Sequence, residues 1–279
     1  MEQEMTLNSE NQVRVKSSGR LKNYFASAVI IICMLVGVAL YAFVMGDPSN
    51  FEGGDPANHP LPGNILGIVY KGGFLVPIAM GILLILITFS IERLITLARA
   101  SGKGSMDVFV QKVQLKLEDN DLDGAIAECD VQRGTVGNAV KECLKSYKKI
   151  EKSTTMNKEQ KTTALQKSLE EATALELPML EKHLTIIATI VSIATLIGLI
   201  GTVLGMIRAF SALATAGSPD AVALANGISE ALINTALGIT TSTIATVVYN
   251  YFTSRIDDMT YRIDEAGFSI VETFAEKHN

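Results

Sequence analysis

Two stretches, Leu184–Ile207 and Ala231–Ser254, carry no charge and are each long enough to cross a bilayer, yet each bears a stripe of Gly, Ser and Thr. A spanning helix needs roughly 20 mostly apolar residues at a rise of about 1.5 Å each. A helix that serves only as an anchor has no use for small and hydroxylated positions. Such positions let backbones approach closely and leave a polar seam inside a bundle. The pair therefore predicts the wall of a transmembrane pathway in an all-α, polytopic membrane protein.

Two more runs reach spanning length: Tyr24–Gly46, and Gly72–Ile91, which is interrupted only by Pro77. The last span begins near Ala221 and contains Glu230 before its uncharged part. The predicted order is a tail 1–23, a helix 24–46, a Pro/Gly-rich loop 47–71, a helix 72–95, a helical domain 96–183, a helix 184–210, a link 211–221, a helix 222–252 and a helical tail 253–279. Lys16, Arg20 and Lys22 before the first run suit either a signal peptide or an anchor. The apolar run is long for a signal peptide, and no clean small-x-small site precedes Asp47, so a retained anchor is expected.

Basic residues set the expected orientation. Arg14, Lys16, Arg20 and Lys22 lie in the tail, Glu92–His183 is rich in Lys and Arg, and Arg255, Arg262 and Lys277 follow the last span. The segment between the first two spans has only Lys71, and Ser211–Asp220 has no basic residue. The positive-inside rule puts both termini and the middle segment in the cytoplasm.

Other chemistry finds little support. The net charge of −5 says little, and no long basic run suggests nucleic acid. Cys33, Cys129 and Cys143 match no metal spacing and read as packing residues. Asp47, Glu52, Asp55 and His59 belong to a Pro-rich loop that reads as solvated rather than cation-binding. Gly102-Lys103-Gly104-Ser105 lacks the first Gly and the final Ser/Thr offset of a phosphate loop and does not follow a strand. No nucleophile–base pair or metal cluster is evident, so neither an enzyme nor a cofactor is expected.

Helical periodicity runs through Met106–Glu118, Leu122–Cys129, Val136–Ile150 and Lys158–Glu181. Asn120-Asp121 and Gly134 mark joints, and Ser101–Ser105 reads as a Gly/Ser hinge. Leu165, Leu169, Ala172 and Leu175 share one side of the last of these helices, with Pro178 as a kink before the third span. Ile256, Met259, Ile263, Phe268 and Val271 continue the fourth span beyond the membrane. Two long helices extending into the cytoplasm are thus expected, with no strand.

The residues that could carry chemistry lie in the last two spans. Gly198, Gly201, Gly205 and Ala209 recur every three to four residues and share a helix face. Glu230 and Asn234 are i,i+4 neighbours, with Thr235, Gly238 and Ser242 near them on the wheel. Glu230 either serves a pathway, as intramembrane acids commonly do, or sits at the interface bonded to a neighbouring helix. With an external turn near Gly217, Thr202 and Thr235 fall at one depth. Each hydroxyl either bonds its own i−4 carbonyl or orients water for proton hopping. Arg208 is expected to snorkel at the outer end of the third span. These helices lack a titrating relay along their length, so a partner with an intramembrane carboxylate would complete the pathway.

The runs Gly198-Leu199-Ile200-Gly201-Thr202-Val203-Leu204-Gly205-Met206, Gly227-Ile228-Ser229-Glu230-Ala231-Leu232, Thr235-Ala236-Leu237-Gly238 and Tyr249-Asn250-Tyr251-Phe252 resemble the MotA/TolQ/ExbB proton channel family, most nearly ExbB. Ser90-Ile91-Glu92-Arg93-Leu94 also suits that family, and the resemblance covers the chain from Gly72 onward. It implies three ExbB-like spans plus one extra N-terminal span, in an oligomeric ring, a pentamer, in the bacterial inner membrane. It further implies an ExbD-like single-span partner with an intramembrane Asp, and a TonB-like protein that the motor energises. Carried onto this chain, Thr202, Glu230 and Thr235 are the proton-pathway residues, and Gly198, Gly201, Gly205, Asn234, Gly238 and Ser242 form the packing and pore face.

The chain departs from the family at Ala194-Thr195 and at Thr243-Ile244-Ala245, where a proline is usual. Thr240, Thr241, Ser242 and Thr243 add hydroxyls. The leading expectation is a TonB-type motor subunit. A TolQ-like or flagellar or gliding stator subunit is the alternative in the same class, although the long Asp47–Lys71 segment argues against the flagellar plan. A non-conducting membrane scaffold is the alternative from another class.

Overall fold

The computed structural model describes residues 26–152, 156–214 and 220–277. The basic tail 1–23 and the turn near Gly217 lie outside the described residues. Among the described residues the regular elements are helices, and Phe51 and Pro60 form one isolated bridge. The elements are α1 (Ala26–Met45), α2 (Ile65–Tyr70), α3 (Val76–Ala100), α4 (Met106–Glu118), α5 (Leu122–Gln132), α6 (Gly134–Glu151), α7 (Lys158–Glu181), α8 (Leu184–Leu213) and α9 (Ala221–Lys277). Four of them, α1, α3 with its preceding turn, α8 and α9, are long and apolar enough to cross a membrane. The chain divides into two compact units, Met1–Phe89 with Ile186–Val247, and Ser90–Thr185 with Val248–Asn279.

In the first unit, small residues bring α1 onto α3. A Cβ at Gly37 would stand 2.7 Å from the Gly81 nitrogen, so only glycine permits this approach. Cys33 Sγ lies 3.6 Å from Thr88 Oγ1, and α1 ends in a π-helical turn, Leu40–Met45. There Tyr41 stacks on Tyr70 with ring centroids 4.6 Å apart and donates to the Tyr70 carbonyl at 3.2 Å.

The loop that follows is folded rather than simply solvated. Asp47 accepts from the Ser49 amide at 2.8 Å and caps a short 3₁₀ turn, Pro48–Asn50. Buried Asn50 donates to the Val44 and Met45 carbonyls at 2.8 and 3.0 Å, closing the end of α1. Lys71 Nζ binds the Pro56 and Ala57 carbonyls at 2.8 and 3.0 Å. Backbone carbonyls left free by a proline-rich path thus find side-chain donors.

The second unit packs α4–α7 with parts of α3 and α9. Phe109, Val113, Leu117, Cys143, Leu144 and Leu165 form its core with Ile263, Ile270 and Phe274. Tyr147 meets Phe274 edge-on, with centroids 4.8 Å apart. Asp121 caps α5 through the Gly124 amide at 2.8 Å, and Asn157 with Gln160 forms a capping box on α7. The Gly/Ser hinge is a backbone crossing: Lys103 N donates to the Gln132 carbonyl at 2.7 Å, and Gln132 Nε2 to the Ser101 carbonyl at 2.9 Å. Gly134, at φ 73°, would drive a Cβ into the Ala100 carbonyl.

Three details differ from the periodicity. Leu175 is 79% exposed and Phe268 67% exposed, so neither joins the core. Pro178 stays inside α7, and the helix breaks at Lys182–His183, where His183 takes a left-handed φ of 67°. Arg93, 2% exposed, donates to the Leu180 and Met179 carbonyls at 3.2 and 3.4 Å and pairs with Glu92 at 2.6 Å. Glu92 in turn meets His183 Nδ1 at 3.2 Å. The last carbonyls of a helix have no intrahelical donor, and a buried guanidinium satisfies them where the chain must turn.

Candidate functional site

The site lies in the first unit, where α8 and α9 run against each other on glycine. A Cβ on Gly198 would stand 3.0 Å from the Asn234 carbonyl, and one on Gly205 would stand 2.7 Å from both the Ala231 nitrogen and the Gly227 carbonyl. On the facing helix, a Cβ on Gly238 would meet the Ala194 carbonyl at 2.6 Å, and one on Gly227 the Ala209 nitrogen at 2.7 Å. Gly201 makes room for the Asn234 side chain. The shared face read from the sequence is therefore the seam between the two helices, with their backbones in contact.

Polar groups occupy this seam at successive levels. Thr202 and Thr235 hydrogen-bond to each other through their hydroxyls. Each also bonds its own i−4 carbonyl, Gly198 at 3.2 Å and Ala231 at 3.0 Å. Backbone anchoring is thus within reach of both hydroxyls, and since each carries one proton, one of the two gives up its carbonyl bond when the pair forms. Beside Thr202, Val203, Met206, Ile207 and Phe210 line an open groove. Elsewhere along the seam, Ser242 donates to the Val191 carbonyl at 2.6 Å. Its hydroxylated neighbours spread around α9: Thr241 is buried, while Thr240 and Thr243 are exposed. Four consecutive residues on a helix must fan out in this way.

Next to Thr235 in the chain, Asn234 is 1% exposed. Its amide donates to the Gly72 carbonyl at 2.8 Å and to the Glu230 carbonyl at 3.0 Å. Its Oδ1 finds no donor among the described residues. A buried acceptor of this kind is suited to a water molecule held in the seam.

Glu230 is buried, and the Arg208 guanidinium binds both of its carboxylate oxygens. Gly73, at φ 78°, presses on the same carboxylate, and any Cβ there would collide with it. Arg208 also lies over the Phe74 ring, 5.6 Å from its centroid. The snorkelling expected of Arg208 is thus only half realised: its side chain is 51% exposed, while that of Glu230 is 9% exposed.

All nine predicted site residues fall on α8 and α9, and most of them meet along the seam. Sequence reasoning missed Arg208 as a partner of Glu230, and it missed the Gly72–Phe74 turn that closes over both. A signal existed: Arg208 is three residues beyond Gly205 and so borders the glycine face.

Residues 138–265 match the model of the MotA/TolQ/ExbB proton channel family. A biopolymer transport protein, ExbB-like 3, of Synechocystis sp. is 40% identical over 95 residues, 33% of this chain and 45% of that protein. The Tol-Pal system protein TolQ of Haemophilus influenzae is 39% identical over 82 residues, 29% of this chain and 36% of its own. The biopolymer transport protein ExbB of Pseudomonas putida is 35% identical over 86 residues, 31% of this chain and 26% of its own. In each case the match spans less than half of the relative's length.

Proposed function

We propose that this chain, a MotA/TolQ/ExbB proton channel family protein by residues 138–265, is the channel-forming subunit of an inner-membrane motor of the ExbB–ExbD type. In this reading five copies form a ring, and an ExbD-like single-span partner brings an intramembrane Asp. Proton flow through the complex then energises a TonB-like protein. Both termini and the α4–α7 region lie in the cytoplasm. The chain itself catalyses no covalent chemistry.

The observation that carries this reading is the Thr202–Thr235 hydroxyl pair in the glycine seam. A hydroxyl donates and accepts at once, so the pair can order water beside the groove. At neutral pH it does not carry the proton itself. An acid from outside the chain must do so, which is the role given to the partner's Asp.

The identity shared with TolQ favours one second reading, a motor that serves a Tol-Pal system instead. That reading uses the same seam and differs only in the protein driven.

The test is proton flux into vesicles holding the chain and its single-span partner. The double substitution Thr202→Val and Thr235→Val keeps the side-chain shape and removes both hydroxyls. Flux dependent on the partner should fall at least roughly tenfold, the size of a lost proton-relay contribution, while the ring stays assembled. An assembled double variant that conducts like the parent would take the hydroxyl pair out of the pathway, and a parent that conducts nothing with its partner would favour the scaffold reading.

A further inference from the structure

Arg208 has no place in the pathway described so far, yet its contacts are the most constrained in the site. Its guanidinium holds both oxygens of Glu230. The burial of the pair is lopsided, with 51% of the Arg208 side chain exposed against 9% for Glu230. The carboxylate is therefore fixed, while the guanidinium sits at a rim from which it can swing away.

The surroundings of the carboxylate support a discrete closed state. Around it stand Arg208 from α8 and the uncharged Gly72, Gly73 and Phe74 leading into α3. Gly73 reaches it only because a positive φ and a missing Cβ allow contact. Asn234, one turn along, ties α9 to the Gly72 carbonyl at 2.8 Å. Three chain segments thus close on one ion pair. Removing the guanidinium leaves a buried carboxylate without a counter-charge, which an apolar site does not tolerate.

We infer that the Arg208–Glu230 pair is a gate on the proton pathway, closed while the two are joined and opened when Arg208 turns to the rim. The inference rests on the proton-channel reading above. Arg208 is a gating residue and not a carrier, because a guanidinium stays protonated throughout. In the closed state the two charges cancel, and the guanidinium occupies both carboxylate oxygens so that Glu230 has no free site for a proton. In the open state Glu230 accepts a proton in place of the guanidinium and passes it inward, and re-pairing with Arg208 follows.

The test compares proton leak of the full chain reconstituted with its single-span partner, read by a pH-sensitive dye trapped in vesicles under a potassium diffusion potential. R208Q should raise this leak roughly tenfold, a size typical of coupling between sites. R208K keeps the charge on a shorter-reaching head and should fall between. The swap R208E/E230R should return the leak to the parent level, because it restores the pair whichever helix carries the positive charge. An assembled R208Q as tight as the parent overturns the gate, and so does a swap as leaky as R208Q. Should R208Q fail to assemble, the swap decides: a tight swap supports the gate and a leaky one overturns it. If the parent with its partner shows no flux at all, the channel reading falls and the gate with it. Normal parent flux with an unchanged leak in R208Q overturns the gate alone.

Discussion

Cys129 and Cys143 illustrate how far single residues can be read. The sequence marks them as packing residues because no metal spacing surrounds them, and both lie buried in the second unit. Burial pushes both thiols up to about 12. In the unfolded chain they ionise near ~8.5. Between those values the folded state holds protons that the unfolded state has lost, so stability falls as pH rises through this window and is unaffected below it. Circular-dichroism melts should therefore show a midpoint that drops above about pH 9. In a C129A/C143A variant the drop should be shallower. A parent and variant with identical alkaline slopes would contradict the burial account. Thr202 and Thr235 were also legible, since similar spacing from a turn sets comparable depth. The grip of Arg208 on Glu230 was not, because a long side chain's partner depends on how two helices are rotated about their axes.

At the scale of the element, the helices and their small-residue faces followed from composition and period, but the end of α7 did not. A proline at position 178 draws attention, yet the first turns of a helix tolerate proline best and its interior can absorb one by bending. The break at His183 coincides instead with the bonds from buried Arg93 to the Leu180 carbonyl, from Arg93 to Glu92, and from Glu92 to His183. Such tertiary bonds leave no local pattern. The α8–α9 seam is the opposite case, because the glycine spacing states which face must be thin. In a bilayer the hydrophobic effect does not drive helices together, so close packing supplies much of the attraction. Gly205→Val should force the helices apart where a Cβ already stands 2.7 Å from the Ala231 nitrogen. The expected cost is about 1–3 kcal/mol, typical of overpacking. It should appear as a lower melting midpoint in detergent, and an unchanged midpoint would mean that α8 and α9 are not held at this distance.

For the whole molecule, what remains exposed carries the most information. In the most apolar window of each span, the chain buries only 11% of α1, 44% of α3 and 28% each of α8 and α9. Lipid can cover Leu196 and Leu199 on the outward side of α8, both more than half exposed. The groove beside Thr202 is different, because the hydroxyl on its wall gains nothing from acyl chains and something from water or protein. A neighbouring copy in a ring would cover the apolar flank and leave the hydroxyls facing a lumen, where a partner helix could reach them. The family resemblance implies five copies, a number that neither the sequence nor one chain's packing can encode, since it is set by the angle between copies. Native mass spectrometry of the chain co-expressed with the single-span protein should therefore give a complex of five chains with a smaller number of partners. Dilution or harsher detergent should shed the partners before the ring comes apart. A stable monomer that keeps the partner would mean that the groove is closed by the partner alone, and the ring would have to be abandoned. A ring that never retains a partner would leave the seam without a titrating acid along its length and return the protein to the scaffold class.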